Sequence, residues 1–253
     1  MPRRLLDQDK RREQRRQSIL LDRLEAKFRG RINRELSGAM RDALDFYEQT
    51  GEVPPARDLR ERMEAVFQQM ADASIRTFGA RILEQGKAAG HDLETKDFAA
   101  MFSRLAQVYI GQEAVRRRIT FIADTTRQQI VNAVAAGFAE GLGVSEIAKQ
   151  VRKRVPTMSA FRSAMIARTE THGAANFGAN EAAKETGLRL NREWVSAADE
   201  RTRVDHADAD GQIVGQDEPF DVGGEALMFP GDPAGSAAQV VNCRCAISQI
   251  VAE

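Results

Sequence analysis

Cysteine is scarce in this chain of 253 residues: there are two, Cys243 and Cys245, one residue apart. Two cysteines cannot supply a disulfide framework, and a bridge across a single intervening residue closes only with strain, so both are expected as thiols or thiolates made in a reducing compartment. Long apolar runs are missing too. No stretch approaches the ~18 to 20 apolar residues that a membrane-spanning helix needs. The start, Met1-Pro2-Arg3-Arg4, leads into further charge and not into an apolar segment, unlike a secretory signal. A soluble chain made inside a cell is expected, with no membrane among its partners. Paired histidines, a metal-binding carboxylate triad and a glycine-rich phosphate loop are also absent, which removes the commonest enzyme signatures. No internal repeat points to a solenoid.

What is present suffices for a real core in one large domain or two ordinary ones, since 42% of residues are hydrophobic and 29% charged. Lys+Arg 37 balance Asp+Glu 37, but unevenly along the chain. Residues 1 to 30 carry a net +5 and residues 191 to 253 a net −8. The basic end suits nucleic acid or an acidic protein surface, and the acidic end is a poor match for a phosphate backbone.

The first half reads as helices. Leu5 to Leu36 is one, with Leu20, Leu21, Leu24, Phe28, Ile32 and Leu36 forming an apolar stripe at steps of about four. Its basic residues, Arg3, Arg4, Lys10, Arg11, Arg12, Arg15 and Arg16, form either an arm that touches DNA or a solvated face laced with i,i+4 pairs. Gly51, Pro54 and Pro55 break the chain, because each proline removes an amide donor. Helices are expected again over 57 to 85 and 95 to 110, with a loop at Gly86, Gly90 and His91 between them. Residues 112 to 140 form the strongest helical pattern, through Val115, Ile119, Ile122, Ile130, Val134 and Phe138, and Gly141 can end it. Together these predict a helical bundle.

Beyond Gly141, Ser145 is placed to cap a helix over 146 to 154, and Pro156 separates it from a second helix starting near Ser159. Such a pair invites a helix-turn-helix reading, although Phe161, Met165 and Ile166 are poor base readers. Arg168, Glu170, Thr171 and His172 follow. Arg168 and His172 share a helix face, as a buried network tying the helix to a sheet requires; a phosphate-binding Arg with a Glu base is the catalytic alternative. After Gly187, residues 188 to 195 and 240 to 247 have strand character, and the Gly-, Asp- and Pro-rich chain between them suits long loops around a small sheet.

The unusual residues are gathered between Trp194 and Cys245: the single Trp, both Cys, one of three His, and the runs Asp199-Glu200-Arg201-Thr202-Arg203, Phe229-Pro230-Gly231-Asp232-Pro233 and Asn242-Cys243-Arg244-Cys245. A Trp, then Asp-x-Arg-Thr-Arg-x-x-His, Gly211, Phe220, the Pro-Gly-Asp-Pro turn and a closing Asn-Cys-Arg-Cys resembles the C-terminal region of phage Mu F-like head morphogenesis proteins, also called minor head proteins. The resemblance begins near Gly141, includes Ala167-Arg168-Thr169-Glu170-Thr171 and covers about the last 110 residues. It implies a low-copy virion protein inside the capsid near the portal, made in the host cytoplasm and acting in head morphogenesis and DNA packaging or ejection. The implied partners are the portal protein and the major capsid or scaffold protein, with non-specific contact to packaged DNA.

Within this region, His206, Cys243 and Cys245 supply three of the four ligands of a structural Zn2+ site, with the fourth to come from Asp199, Asp205, Asp208 or His172. In a strand, Cys243 and Cys245 would share a face. The alternative is two packed thiols with His206 bonded to a loop carboxylate. Arg201 and Arg203 flank Asp199 closely enough for an Arg–carboxylate pair, with Trp194, Phe220 and Phe229 as apolar cover. Trp194, Asp199, Arg201, Arg203, Arg168 and Glu170 are accordingly expected as structural or partner-binding residues and not as catalytic ones.

The fold expected is mainly α in the N-terminal half, with a small α+β C-terminal domain of a short antiparallel sheet and long loops. Residues 1–140 form the helical docking region and 141–253 the Mu F-like domain. Two alternatives to a non-enzymatic head protein stand beside it: an ejected effector enzyme, a nuclease or nucleotide transferase using His206, Arg201, Arg203 and Glu170 or Asp199, and a cytosolic DNA-binding protein.

Overall fold

The computed structural model describes residues 10–88, 90 and 97–252. Arg3, Arg4, the expected helix start at Leu5 and His91 lie outside the described residues, as do the side chains of Lys10 and Arg11. Five long helices come first: α1 (Lys10–Thr50), α2 (Arg57–Ala88), α3 (Phe98–Gly111), α4 (Glu113–Ala139) and α5 (Val144–Glu185). The apolar stripe of α1 continues past Leu36 through Met40, Leu44 and Tyr47, all fully buried, so the helix continues with it. It stops at Gly51, which takes a left-handed φ of 77° and donates its amide to the Tyr47 carbonyl at 2.8 Å. Gly141, at φ 75°, ends α4 in the same way.

Pro156 does not break the chain. The two helices expected on either side of it are one, α5, with the proline inside and Gly143 rather than Ser145 at the N-cap. An interior proline costs about 3 kcal/mol. Ile147, Ala148, Val151 and Val155 of the same segment are buried against Met40, Leu44, Tyr47, Ile130 and Val134, and apolar burial at about 1.5–3 kcal/mol per large side chain outweighs the loss. Without the turn, no helix-turn-helix forms here.

From Ile166 to Ala183 nearly every residue of α5 is buried, because α1 and α2 lie along it and the C-terminal loops cross it. Two glycines allow the close approaches. A Cβ on Gly178 would lie 2.6 Å from the Ile75 Cα on α2, and one on Gly173 would lie 2.8 Å from the Gly231 carbonyl oxygen. The resulting core is continuous from α1 to the sheet.

The C-terminal chain adds a three-stranded antiparallel sheet in the order β2 (Ile213–Gly215), β1 (Leu190–Val195), β5 (Ala246–Val251), and a hairpin of β3 (Phe220–Val222) and β4 (Glu225–Leu227). Short helices α6 (Val204–Asp208) and α7 (Ala237–Val240) lie between strands. β1 forms where strand character was expected and pairs along its length with β5, from Leu190 opposite Val251 to Val195 opposite Ala246. The strand expected over 240 to 247 forms only from Ala246. Before it the chain turns, with Asn242 at φ 59°, because side chains take its backbone groups: Arg203 donates to the Val241 carbonyl, and the Asn242 amide donates to Thr169 Oγ1 at 3.0 Å.

Arg192 of β1 is fully buried and gathers the loops around itself. Its guanidinium donates to the carbonyls of Gly215, Glu218 and Met228 and to Asn180 Oδ1, and lies 5.3 Å from the Phe220 ring centre. These acceptors replace the water lost on burial.

Gly178→Ala is expected to destabilise the chain by about 1–3 kcal/mol, since the methyl overpacks a backbone crossing. Gly30→Ala, an exposed helical site with nothing within 4 Å of an added Cβ, should instead stabilise by about 0.5–1 kcal/mol. Urea-unfolding midpoints of the two variants check both signs.

Candidate metal centre and the loop around it

His206 lies on α6, whose single turn follows the loop 196–203, while Cys243 and Cys245 lie in the turn between α7 and β5. All three are buried, and one ligand atom from each falls within 4.8 Å of the others. His206 Nδ1 is 3.3 Å from Cys245 Sγ and 3.7 Å from Cys243 Sγ. The pair converges through the turn and not through alternation along a strand, which corrects the geometry expected from the sequence. Arg244, between them, points out to Asp199.

The other face of the imidazole is held. His206 Nε2 is 3.0 Å from Gln239 Oε1, and Gln239 Nε2 donates to Asp205 Oδ2 at 2.7 Å. Trp194 stands edge-on to the ring at 5.6 Å, and Phe220 packs on Trp194 at 5.4 Å. Of the rings expected over the Asp199 loop, Trp194 and Phe220 gather at His206, and Phe229 packs on Phe177 of α5. A hydrogen bond from Cys245, with Arg203 and Arg244 nearby, holds the Cys243 thiol below its ordinary range, whereas sharing that bond pushes Cys245 up. Cys243 is thus the first of the pair to lose its proton as pH rises, and the thiolate is the form that a soft cation binds. This donor set fits a divalent soft metal such as Zn2+: two sulfurs, one imidazole nitrogen and a hydrogen-bonded second ring nitrogen. Among the described residues no fourth His, Cys, Asp or Glu joins the cluster. Of the four candidates for that place, Asp199 is bound to Arg244 and Asp205 to Gln239. His172 lies apart, on a cavity beside α1.

Asp199 pairs with Arg244 in a two-pronged ion pair and not with the side chains of Arg201 or Arg203. It also accepts from the Arg201 amide at 3.0 Å and from Thr202 Oγ1 at 3.3 Å, which closes the loop into a tight turn. Arg244 and these hydrogen bonds hold its carboxyl down at about 2. Arg201 is exposed, and Arg203 reaches back to the Val241 carbonyl.

On α5, Arg168 forms a two-pronged pair with Glu25 of α1 at 2.9 and 3.1 Å, and Glu170 meets Arg118 of α4 at 2.9 Å. Thr169 receives the Asn242 amide, and Asn176 bridges the Pro230 and Cys245 carbonyls and the Ile247 amide. The helix is tied to the sheet side through Thr169 and Asn176, whereas Arg168 and Glu170 tie it to α1 and α4; the Arg168 and His172 face expected to reach the sheet does not do so. Glu170, Asp199 and His206 each serve a different partner: Arg118, Arg244 and Gln239. Gln239, Asn176, Arg192, Glu25 and Arg118 carried no motif; Gln239 and Asn176 stand alone among apolar neighbours, whereas Arg118 ends a run of three arginines that reads as a polar face.

His172 is buried between Arg168 and Arg244. Burial first, and these two charges second, hold its pKa down at about 3. Unfolded, it titrates near 6.5. A folded pKa below the unfolded one means that stability is fully present above about pH 6.5 and is lost as pH falls toward 3. The loss is expected at about 1.4 kcal/mol per pH unit for this one group. Comparing urea-unfolding free energies of the wild type and His172→Gln from pH 7 to pH 4 checks this; the variant should show the shallower slope.

The C-terminal part of the chain is similar to a family of phage proteins. Residues 128–248 match the family described as Phage Mu protein F like protein. The minor head protein GP7 of Bacillus phage SPP1 is 31% identical over 137 residues, 51% of this chain and 44% of that protein. An NAD(+)–arginine ADP-ribosyltransferase, EFV, of Enterococcus faecalis is 30% identical over 151 residues, 58% of this chain and 30% of that protein. The uncharacterized protein YqbB of Bacillus subtilis is 27% identical over 130 residues, 50% of this chain and 42% of that protein. The chain spans less than half the length of each of these relatives. No solved structure matches.

Proposed function

We propose that this chain works as a minor head protein: it sits inside the capsid near the portal, contributes to head morphogenesis and to DNA packaging or delivery, and catalyses no reaction. The observation that carries the reading is the family match over the α5-and-sheet region, shared with a relative named as a minor head protein. The pairing of Glu170, Asp199 and His206 with separate partners supports the non-enzymatic half. No helix among the described residues is long and apolar enough to cross a membrane, in keeping with capsid partners.

In this reading residues 1–140 dock on the portal, capsid or scaffold protein, and 141–253 form the sheet-bearing part. Phe121 on α4, 68% exposed, favours such a use, and Phe161 on α5, 75% exposed, would extend the docking face beyond residue 140, since large aromatics are enriched where proteins meet. The basic start of the chain would add non-specific contact with packaged DNA, weakened by salt. One Zn2+ at His206, Cys243 and Cys245 would staple the long loops to the sheet, with Trp194, Asp199, Arg201, Arg203, Arg168 and Glu170 as its structural surroundings.

The test is incorporation into heads. The full chain should co-purify with portal-bearing heads, and Phe121→Asp with Phe161→Asp should lower its incorporation about tenfold or more while the melting temperature changes little, as expected at exposed sites. Heads of normal yield and DNA content formed without the chain would overturn the role. Turnover of NAD+, DNA or RNA by the purified protein, lost in His206→Ala, would overturn its non-enzymatic half.

A further inference from the structure

The imidazole of His206 has two nitrogens, and only one of them faces the sulfurs. Its Nδ1 looks toward Cys243 and Cys245, while Nε2 meets Gln239. Which nitrogen carries the proton is decided one shell further out. The Asp205 carboxylate has only acceptor oxygens, so the Gln239 group 2.7 Å from it must be the amide NH2. The Gln239 carbonyl oxygen is then turned to His206 Nε2, and an acceptor there demands Nε2–H. Nδ1 is left with its lone pair directed at the two sulfurs, the form in which imidazole binds a metal.

The fold protects this relay. Gly223, in the β3–β4 turn at φ 60°, lies over it: a Cβ at that position would come 2.5 Å from Asp205 Oδ2 and 2.8 Å from Gln239 Nε2. Gln239 is buried on α7, one turn before the cysteines, and Trp194 holds the ring from the side. Asp205 and His206 of α6 and the Gly223 turn thus converge on the orientation of one amide.

We propose that Gln239 and Asp205 are the positioning residues of a Zn2+ site whose protein ligands are His206 Nδ1, Cys243 Sγ and Cys245 Sγ. This rests on the zinc reading above and adds the identity of the ligating nitrogen and of the groups that select it. Neither residue touches the metal; Gln239 fixes the tautomer and Asp205 fixes Gln239.

The experiment uses the full chain, prepared metal-free under reducing agent and titrated with Zn2+ against a chromophoric chelator, and with Co2+ to follow the thiolate-to-metal absorption. The wild type should take one equivalent with an absorption of two thiolates. Asp205→Ala, a half-buried site, and Gln239→Ala should each weaken Zn2+ about 10–100-fold, the usual effect of losing an outer-shell partner of a ligating His. Asp205→Asn, which keeps an acceptor oxygen, should recover most of that affinity. Nitrogen-15 chemical shifts of the Zn2+-loaded protein should mark Nδ1 of His206 as the ligated atom in the wild type. A wild type that takes no metal sinks the zinc reading and this proposal with it. Metal uptake that is unchanged in Asp205→Ala and Gln239→Ala, or ligation through Nε2, overturns the relay alone. Melting of the metal-free variants separates loss of fold from loss of affinity.

Discussion

A helix buried on every side must be thin wherever another backbone crosses it, and it must find a partner for each polar group it carries inward. The second half of α5 lives under both demands. Gly173 and Gly178 make it thin, one under the Gly231 carbonyl and the other under Ile75. Arg168, Thr169, Glu170 and Asn176 give it partners on α1, α4 and the C-terminal loops. The sheet and its loops are positioned against this helix, so the site near His206 inherits its geometry from a helix that supplies none of its ligands.

The loops carry little regular structure, and side chains stand in for the missing ladder. Arg192 collects three carbonyls and an amide oxygen from separate segments, and Asp232 accepts the amides of Met228 and Ala234 within the Pro-Gly-Asp-Pro turn. A buried guanidinium without such acceptors would cost several kcal/mol, so these carbonyls and Arg192 hold one another in place. The cysteine turn depends on the same device, since Arg203 and Thr169 engage its backbone and Arg244 locks it to Asp199.

Long helices present aromatic rings at their outer faces, whereas Glu170 pairs inside with Arg118 and Asp199 pairs at the surface with Arg244. His206, Cys243 and Cys245 bring α6 against the turn before β5.

The sequence by itself determined where helices lie, because apolar periodicity and left-handed glycines are local properties: Gly51 and Gly141 end α1 and α4, and Trp194 sits in a strand as its neighbours suggest. It also brought the right donor types, His206, Cys243 and Cys245, into one region. Only the tertiary structure decided how those residues point. Pro156 stays inside a helix because the surface under Val151 and Val155 outweighs one hydrogen bond, and Cys243 and Cys245 converge through a turn because Arg203 and Thr169, some forty and seventy residues away in the chain, take its backbone groups. Asp199 chose Arg244 over the nearer Arg201 and Arg203 for the same reason. Pairing between side chains is settled by the path of the whole chain, and spacing along one segment does not contain it.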